Sequence, residues 1–364
     1  MSSPSPTVRS IGSNPTRIWG MTSTERLRRI AASKKLSFEQ PGTESALLVA
    51  ASHVFDHQWL NFMLERPGAA LTVGGEPVIA HVVTAAQAAA DTFPAGLDEI
   101  RAEDHRTFYN EALRKREDPM IERLAPANVR KIERESYFGA YKGVTDILTK
   151  YLWPEWALVL TRIAARIGMT PNQVTTIGFA LCVLATFLFW HGHYWIGMAA
   201  GLVFMVFDTV DGKLARCTIT SSNWGHILDH GTDLVHPPFW WWAWAHGLGT
   251  WGLAISNEIF ALVMLGILGG YVVQRIIEGI FIRTFNGMHI HIWEKADSDF
   301  RLITARRNPN MIILFVATLF QRPDIGLIAV AWWTVISCAF HAVRLAQALY
   351  RRAKGEAIIS WLTV

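Results

Sequence analysis

The chain has 364 residues, 51% of them hydrophobic, 12% aromatic and 18% charged, with a formal net charge of +4 and a mean hydropathy of +0.21. Soluble domains carry about a quarter charged residues. The depletion, together with many apolar runs, excludes an intrinsically disordered chain and argues against an ordinary cytosolic globule. The three cysteines, Cys182, Cys217 and Cys338, lie in or beside apolar stretches without CxxC or Cys/His spacing, which disfavours a disulfide framework or a zinc site.

Residues 1–40 are rich in Ser, Pro, Thr and Arg and read as a flexible tail; they hold no apolar h-region, so a cleaved signal peptide is not expected. ALLVAA (46–51) predicts a buried strand and 56–65 a helix, and AALTVGGEPVIAHVV (69–83) predicts two short strands around a Gly-Gly turn. The charged stretch 99–136 reads as helical. Residues 41–140 therefore form a small cytoplasmic α/β domain. In the placing of its first strand and of Val54-Phe55-Asp56 it faintly resembles a nucleotidyltransferase. The Gly-rich phosphate loop of such an enzyme is absent, since SHVFDHQW follows ALLVAA, and a non-catalytic domain is expected.

Residues 141–354 are the expected membrane domain, mostly α. In 145–169, Leu148, Leu152, Trp156, Leu160 and Ile163 fall near one helical face with Lys150, Arg162 and Arg166 among them, as in a helix lying in the membrane interface. Apolar segments at about 173–190, 194–207, 224–246, 251–273, 309–320 and 325–343 predict a six-helix bundle; the second must extend into its charged end, and the fifth is short. Lys and Arg are absent from 167 to 212 and from 217 to 274 and collect at 162–166, 213–216, 275–307 and 344–354. The positive-inside rule makes those four places, and hence both termini, cytoplasmic, in an inner membrane. Trp190, Trp195, Trp240, Trp241, Trp242, Trp244 and Trp251 would then form an aromatic belt at the opposite face. The basic excess also raises nucleic acid, but the head shows no interleaved basic and aromatic stripe.

Chemistry concentrates in FDTVDGKLARCTITSSNWGHILDHGTDLV (207–235). Charged groups at membrane depth are costly and imply function. Spacings of three and four put Asp208 with Asp211 on one helix face and Asp229 with Asp233 on another. Two facing helices would gather four carboxylates, whose repulsion in a low dielectric calls for hard divalent cations such as Mg²⁺ or Mn²⁺. Paired metals of this kind stabilise attacking and leaving oxygens in phosphoryl transfer. Gly212, Ala215 and Gly225 leave room for a ligand at the backbone, and Arg216 offers a fork for phosphate.

Asp208-x2-Asp211-Gly212-x2-Ala215-Arg216-x8-Gly225-x3-Asp229-x3-Asp233 resembles the signature of the CDP-alcohol phosphatidyltransferases, and Thr170-Pro171-Asn172-x2-Thr175 is similar to that family's opening of the first membrane helix. The resemblance covers roughly 140–350. It implies transfer of a phosphatidyl or other phospho-alcohol group from a CDP-alcohol, usually CDP-diacylglycerol, to an acceptor hydroxyl, with release of CMP. It implies two metal ions held by Asp208, Asp211 and Asp229 with Asp233 contributing, and Asp233 as general base. Asn172, Thr175, Asp208, Gly212, Ala215, Arg216 and Gly225 would bind the nucleotide. Family members are commonly homodimers. A transporter could use intramembrane acids too but would not need Gly212, Ala215 and Arg216 at these spacings, and a non-catalytic scaffold would be expected to have lost one of the four acids, all of which are present. The acceptor stays open among polyol phosphates, polyols, amino alcohols and lipid alcohols. Because Arg offers bidentate geometry that membrane anchoring does not require, Arg301, Arg306 and Arg307 are candidates to bind an acceptor phosphate.

Overall fold

The computed structural model describes residues 6–363 apart from 106, 112 and 222; the side chains of 223, 224, 226–230 and 233 are also outside the description. The chain opens with a small α/β domain. Its elements are β1 (Thr7–Ile11), α1 (Ser23–Ser33), β2 (Ala46–Ala50), β3 (His53–Phe55), α2 (His57–Leu64), β4 (Ala69–Val73), β5 (Glu76–Val82), α3 (Ala85–Ala88) and β6 (Asp98–Arg101). Five strands form one sheet in the order β1-β2-β5-β4-β6, with β1 parallel to β2, β6 parallel to β4 and the other neighbours antiparallel. Strand β2 is buried at every position, as a continuous apolar run should be. Gly74 and Gly75, at φ 56° and 82°, make the β4–β5 turn, where two left-handed residues match the twist of the strands.

Two sequence expectations need correction here. The first forty residues are not all tail: Val8 pairs with Leu47 and Ile11 with Ala50, and α1 buries Leu27, Ile30 and Ala31. Their Ser and Pro content conceals a short strand and a helix whose apolar residues recur every three or four positions. Nor is 99–136 helical throughout. After β6, β7 (Phe108–Asn110) pairs with β8 (Lys115–Glu117) and β9 (Ile121–Arg123) pairs with β3, leaving only α4 (Val129–Gly139) as the long helix. Pro119 and Pro126 interrupt any helix through this stretch, and strand partners take up the backbone groups left over.

A single π turn at Leu148–Leu152 precedes α5 (Pro154–Arg166). Helix α5 buries Ala157, Leu158, Thr161 and Ala164 and leaves Trp156, Val159 and Ile163 exposed, so an apolar face points away from the protein. Then come α6 (Pro171–Trp190), α7 (Tyr194–Cys217), α8 (Asn223–Gly247), α9 (Asn257–Met264) running through a π turn into α10 (Gly270–Thr284), α11 (Lys295–Arg301), α12 (Arg307–Leu319) and α13 (Pro323–Ala353). Among the described residues four helices are long and apolar enough to cross a membrane: α6, α7, α9–α10 and α13. Helix α12, with 13 residues, falls short of the about 20 a straight span needs.

The tryptophans are the third correction. Trp190, Trp195 and Trp242 are exposed, but Trp240, Trp241 and Trp244 are buried. The Trp240 indole N–H donates to the Cys182 carbonyl at 3.2 Å and that of Trp244 to the Pro323 carbonyl at 3.2 Å. A buried indole needs such a partner, and helix carbonyls supply it, so these residues are core rather than belt.

The head is docked on the helix that carries the first two acids of the motif. Arg26 Nη1 donates to the Cys217 carbonyl at 3.1 Å and Arg29 Nη1 to the Thr218 carbonyl at 2.9 Å, satisfying acceptors at the C-terminal end of α7. Arg26 is buried, and burial pushes its pKa down despite nearby Asp56. Arg26→Met should cost about 1.5–3 kcal/mol, the value of a hydrogen bond from a charged donor. The check is thermal unfolding of the full chain in detergent, with exposed Arg28→Met as the control. Equal midpoints for the two variants would contradict the docking.

Candidate active site

Helix α6 starts where Thr170 and Gln173 form a reciprocal capping box, with Pro171 at the first helical position. This start carries Thr175 toward α7, where its hydroxyl donates to Asp211 Oδ2 at 2.6 Å. Asp211 is buried. Asp208, one turn earlier, accepts from Arg307 Nη2 at 2.6 Å, which ties α7 to the start of α12. The two acids are thus held by different helices, α6 and α12. Arg216 folds back one turn along α7, and a Cβ on Gly212 would lie 3.2 Å from its Nη2. The absence of a side chain at Gly212 gives the guanidinium its place.

Asp208, Gly212 and Arg216 open on a cavity of about 480 Å³. From α7 it also receives Thr209 and Lys213, from α10 Arg275 and Glu278, and from the segment after α10 His289 and His291. Arg301, Arg306, Arg307 and Asn308 line it from α11 and α12, and Tyr141, Lys142 and Asp146 from the linker after α4. One lining residue, Arg114, comes from the head. The basic side chains far outnumber the described acids, Asp146, Asp208 and Glu278. Asp146 is occupied by Thr149 and Asn308. Glu278 accepts from Arg306 at 2.6 Å and Arg275 at 2.8 Å and lies 3.3 Å from His291.

Arg301 is one of the cations here without an acidic partner: it forms no salt bridge among the described residues, and its buried Nη1 has no hydrogen-bond partner there. Burial, then Arg306, push its pKa down to about 9. Lys213 lies over the Tyr141 ring, 2.9 Å from the centroid. Such a surplus of buried positive charge suits an anionic ligand.

The structure therefore gathers Asp208, Gly212, Arg216, Arg301, Arg306 and Arg307 around one cavity, with Asp211 and Thr175 bonded beside it. Asn172 stands one residue past Pro171 at the start of α6, Ala215 is half-buried on α7, and Gly225 is half-buried on α8; none of the three lines the cavity. Asp229 and Asp233 lie on α8 by backbone, but their side chains are outside the described residues. Among the described residues no group of three or more His, Cys, Asp or Glu side chains converges. The described donors, two carboxylates one helical turn apart, are hard oxygen ligands that suit Mg²⁺ or Mn²⁺.

Residues 168–300 match the family model described as CDP-alcohol phosphatidyltransferase. Over that segment the chain is similar to the CDP-alcohol phosphatidyltransferases. This similarity and the apolar helices together mark the chain as an integral membrane protein. An archaetidylinositol phosphate synthase of Pyrococcus horikoshii is 27% identical over 184 residues, 49% of this chain and 86% of that protein. A phosphatidylinositol phosphate synthase of Mycobacteroides abscessus is 39% identical, covering 32% of this chain and 55% of the relative. Cholinephosphotransferase 1 of Gallus gallus is 30% identical, and the match covers 32% of this chain and only 36% of that protein. Among solved structures, the phosphatidylinositol phosphate synthase of Mycobacterium tuberculosis in complex with manganese and citrate is 19% identical, covering 52% of this chain and 88% of that one with a TM-score of 0.41.

Several residues that line the cavity escape sequence reasoning. Glu278, His289 and His291 lack any local pattern, and Tyr141, Lys142 and Asp146 sit in a linker whose position only the packing fixes. His289 provides a pH test. Burial first, then Arg114, lower its pKa from 6.5 to about 4. Between those values the unfolded chain takes a proton that the folded one refuses, so stability should fall as pH drops through that window. His289→Gln should flatten this part of the stability–pH curve. An unchanged slope would contradict the burial of a neutral ring.

Proposed function

We propose that the chain transfers a phospho-alcohol group from a CDP-alcohol, with CDP-diacylglycerol foremost, to the hydroxyl of a phosphorylated polyol, and releases CMP. One observation carries this reading: Asp208, Gly212 and Arg216 of α7 border a cavity whose charged lining is mostly basic, with Arg114, Arg275, Arg301, Arg306 and Arg307 among it. Neighbouring anionic groups, the donor diphosphate and the acceptor phosphate, match such a surface.

In this reading Asn172, Thr175, Gly212, Ala215, Arg216 and Gly225 form the nucleotide pocket, with Arg216 on a donor phosphate. Thr175 fixes the rotamer of Asp211 through its hydroxyl. Asp208, Asp211, Asp229 and Asp233 would hold Mg²⁺ or Mn²⁺, two ions by the family resemblance, which would screen the diphosphate and stabilise the leaving CMP. Asp233 takes the proton of the acceptor hydroxyl. The acceptor oxygen forms a bond to the lipid-side phosphorus as the bond from that phosphorus to the CMP oxygen breaks, and CMP departs as a phosphate monoester. Arg301, Arg306 and Arg307 hold the acceptor phosphate, and Arg301 has a buried Nη1 without a partner among the described residues. Like-charged phosphates brought together need this fixed positive field, and preorganised donors supply it without reorganisation.

The proposed arrangement has six spans, α6, α7, α8, α9–α10, α12 and α13, with α5 in the interface and both termini cytoplasmic in an inner membrane. The cavity then faces the cytoplasm, where soluble acceptors are found. The head is a non-catalytic domain spanning residues 6–140 rather than 41–140, and the protein works as a homodimer.

Asp208→Asn and Asp211→Asn, each folded by its unfolding profile, should lose CMP release from CDP-diacylglycerol by roughly 100-fold or more, because each removes charge from the transition state. EDTA should abolish release and added Mg²⁺ or Mn²⁺ restore it. Near-normal turnover in both variants would overturn the metal reading.

A further inference from the structure

The head reaches into the cavity through the β7–β8 hairpin. Its turn rests against the linker after α4: Gly143 N–H donates to the Leu113 carbonyl at 2.8 Å, and Lys115 Nζ donates to the Gly139 carbonyl at 2.6 Å. A Cβ on Gly143 would lie 2.5 Å from the Arg114 oxygen and 2.7 Å from Lys115 Cβ, so only glycine allows this approach. On the other side Arg116 Nε donates to the Leu362 carbonyl at 2.7 Å. The hairpin is therefore clamped between the linker and the C-terminal segment, which fixes the direction in which Arg114 points.

Arg114 points into the cavity, and its Nη2 lies 3.1 Å from Nε2 of His289. His289 is kept neutral, so its ring accepts a hydrogen bond and contributes no charge. Among the described residues Arg114 has no salt bridge. Burial and Arg306 both disfavour its charge, and the acid that favours it, Glu278, already carries Arg275 and Arg306. Arg301 feels the same two neighbours, Arg306 and Glu278. Two arginines, one from each domain, thus line one cavity with more donors than its described carboxylates, Asp146, Asp208 and Glu278, can use.

We infer that Arg114 completes, with Arg301, a composite site for the phosphate of a soluble phosphomonoester, so that the head forms one wall of the acceptor site. The inference rests on the proposed transfer reaction for the identity of the ligand as acceptor, though not for its charge or chemical class. Arg114 is assigned here as a binding residue.

The probe is inorganic phosphate, titrated calorimetrically into the full chain in phosphatidylcholine nanodiscs with Mg²⁺ and saturating CDP, which occupies the donor side. Wild type should bind phosphate saturably. Arg114→Gln should weaken binding by about tenfold or more, as loss of a charged contact does, and Arg114→Lys by less, while CDP affinity is unchanged. Thermal unfolding must match among the three proteins; if Arg114→Gln unfolds early, Arg114→Lys alone decides the result. Equal phosphate affinity in wild type and the deciding variant, or no binding by wild type, overturns the site. A second arm replaces free phosphate with phosphatidic acid in the disc, with unfolding midpoint as readout. A dependence on Arg114 in this arm alone would make the ligand a lipid headgroup and overturn the soluble class. CMP release from CDP-diacylglycerol by wild type separates the two readings. Arg114-dependent phosphate binding without any release keeps the site and rejects the transfer reaction, whereas release with Arg114-independent binding does the reverse.

Discussion

Positive charge crowded around a single carboxylate is the constraint on which the cytoplasmic half of this molecule depends. Glu278 on α10 joins Arg275 of its own helix to Arg306 at the threshold of α12, with His291 beside it. A second pair, Arg307 with Asp208, joins α12 to α7. Removing one partner from such a pair leaves an uncompensated buried charge. The helices around the cavity are thereby locked in register by charge as well as by packing. The arginines left over, Arg301 and Arg114, have no such pairing among the described residues, and an arrangement this costly has its natural partner in an anionic ligand.

The same logic fixes the helix that carries the first half of the motif. Helix α7 is held near its acids by Thr175 from α6 and Arg307 from α12, and at its C-terminal end by Arg26 and Arg29 from the head. A site that stabilises developing charge works only if its groups stay within a fraction of an ångström of their places. The head supports this geometry from outside the membrane domain. That gives a domain without a phosphate loop a physical role: it bounds the cavity and restrains the helix.

Much of the membrane domain was legible because its signals are local. The acids, Gly212 and Arg216 lie within one helix and its successor, and the spacing of three shows that Asp208 and Asp211 share a face. Thr170-Pro171 reads as a helix start for reasons independent of any resemblance. Misreadings arose where local composition competes with long-range partners. Residues 7–11 look like tail until β2 is available to pair with them. Residues 108–123 are charged enough to pass for a helix until short strands find each other. Trp240 and Trp244 resemble interfacial residues until the carbonyls of Cys182 and Pro323 accept their N–H groups. Arg114 has no local signal at all, because its role exists only when the head hairpin meets the linker at Gly143.

The cavity is proposed to join a CDP-linked alcohol to a phosphorylated acceptor. The most direct measurement is mass spectrometry of lipids formed by the purified full chain from labelled CDP-diacylglycerol and a mixture of polyol phosphates, polyols and amino alcohols, with CMP quantified in parallel. The account predicts a new phosphodiester lipid retaining the acceptor's phosphate, formed one for one with CMP and only in the presence of a divalent cation. Release of CMP without a lipid product, a product built only from uncharged acceptors, or no CMP with any acceptor would contradict it.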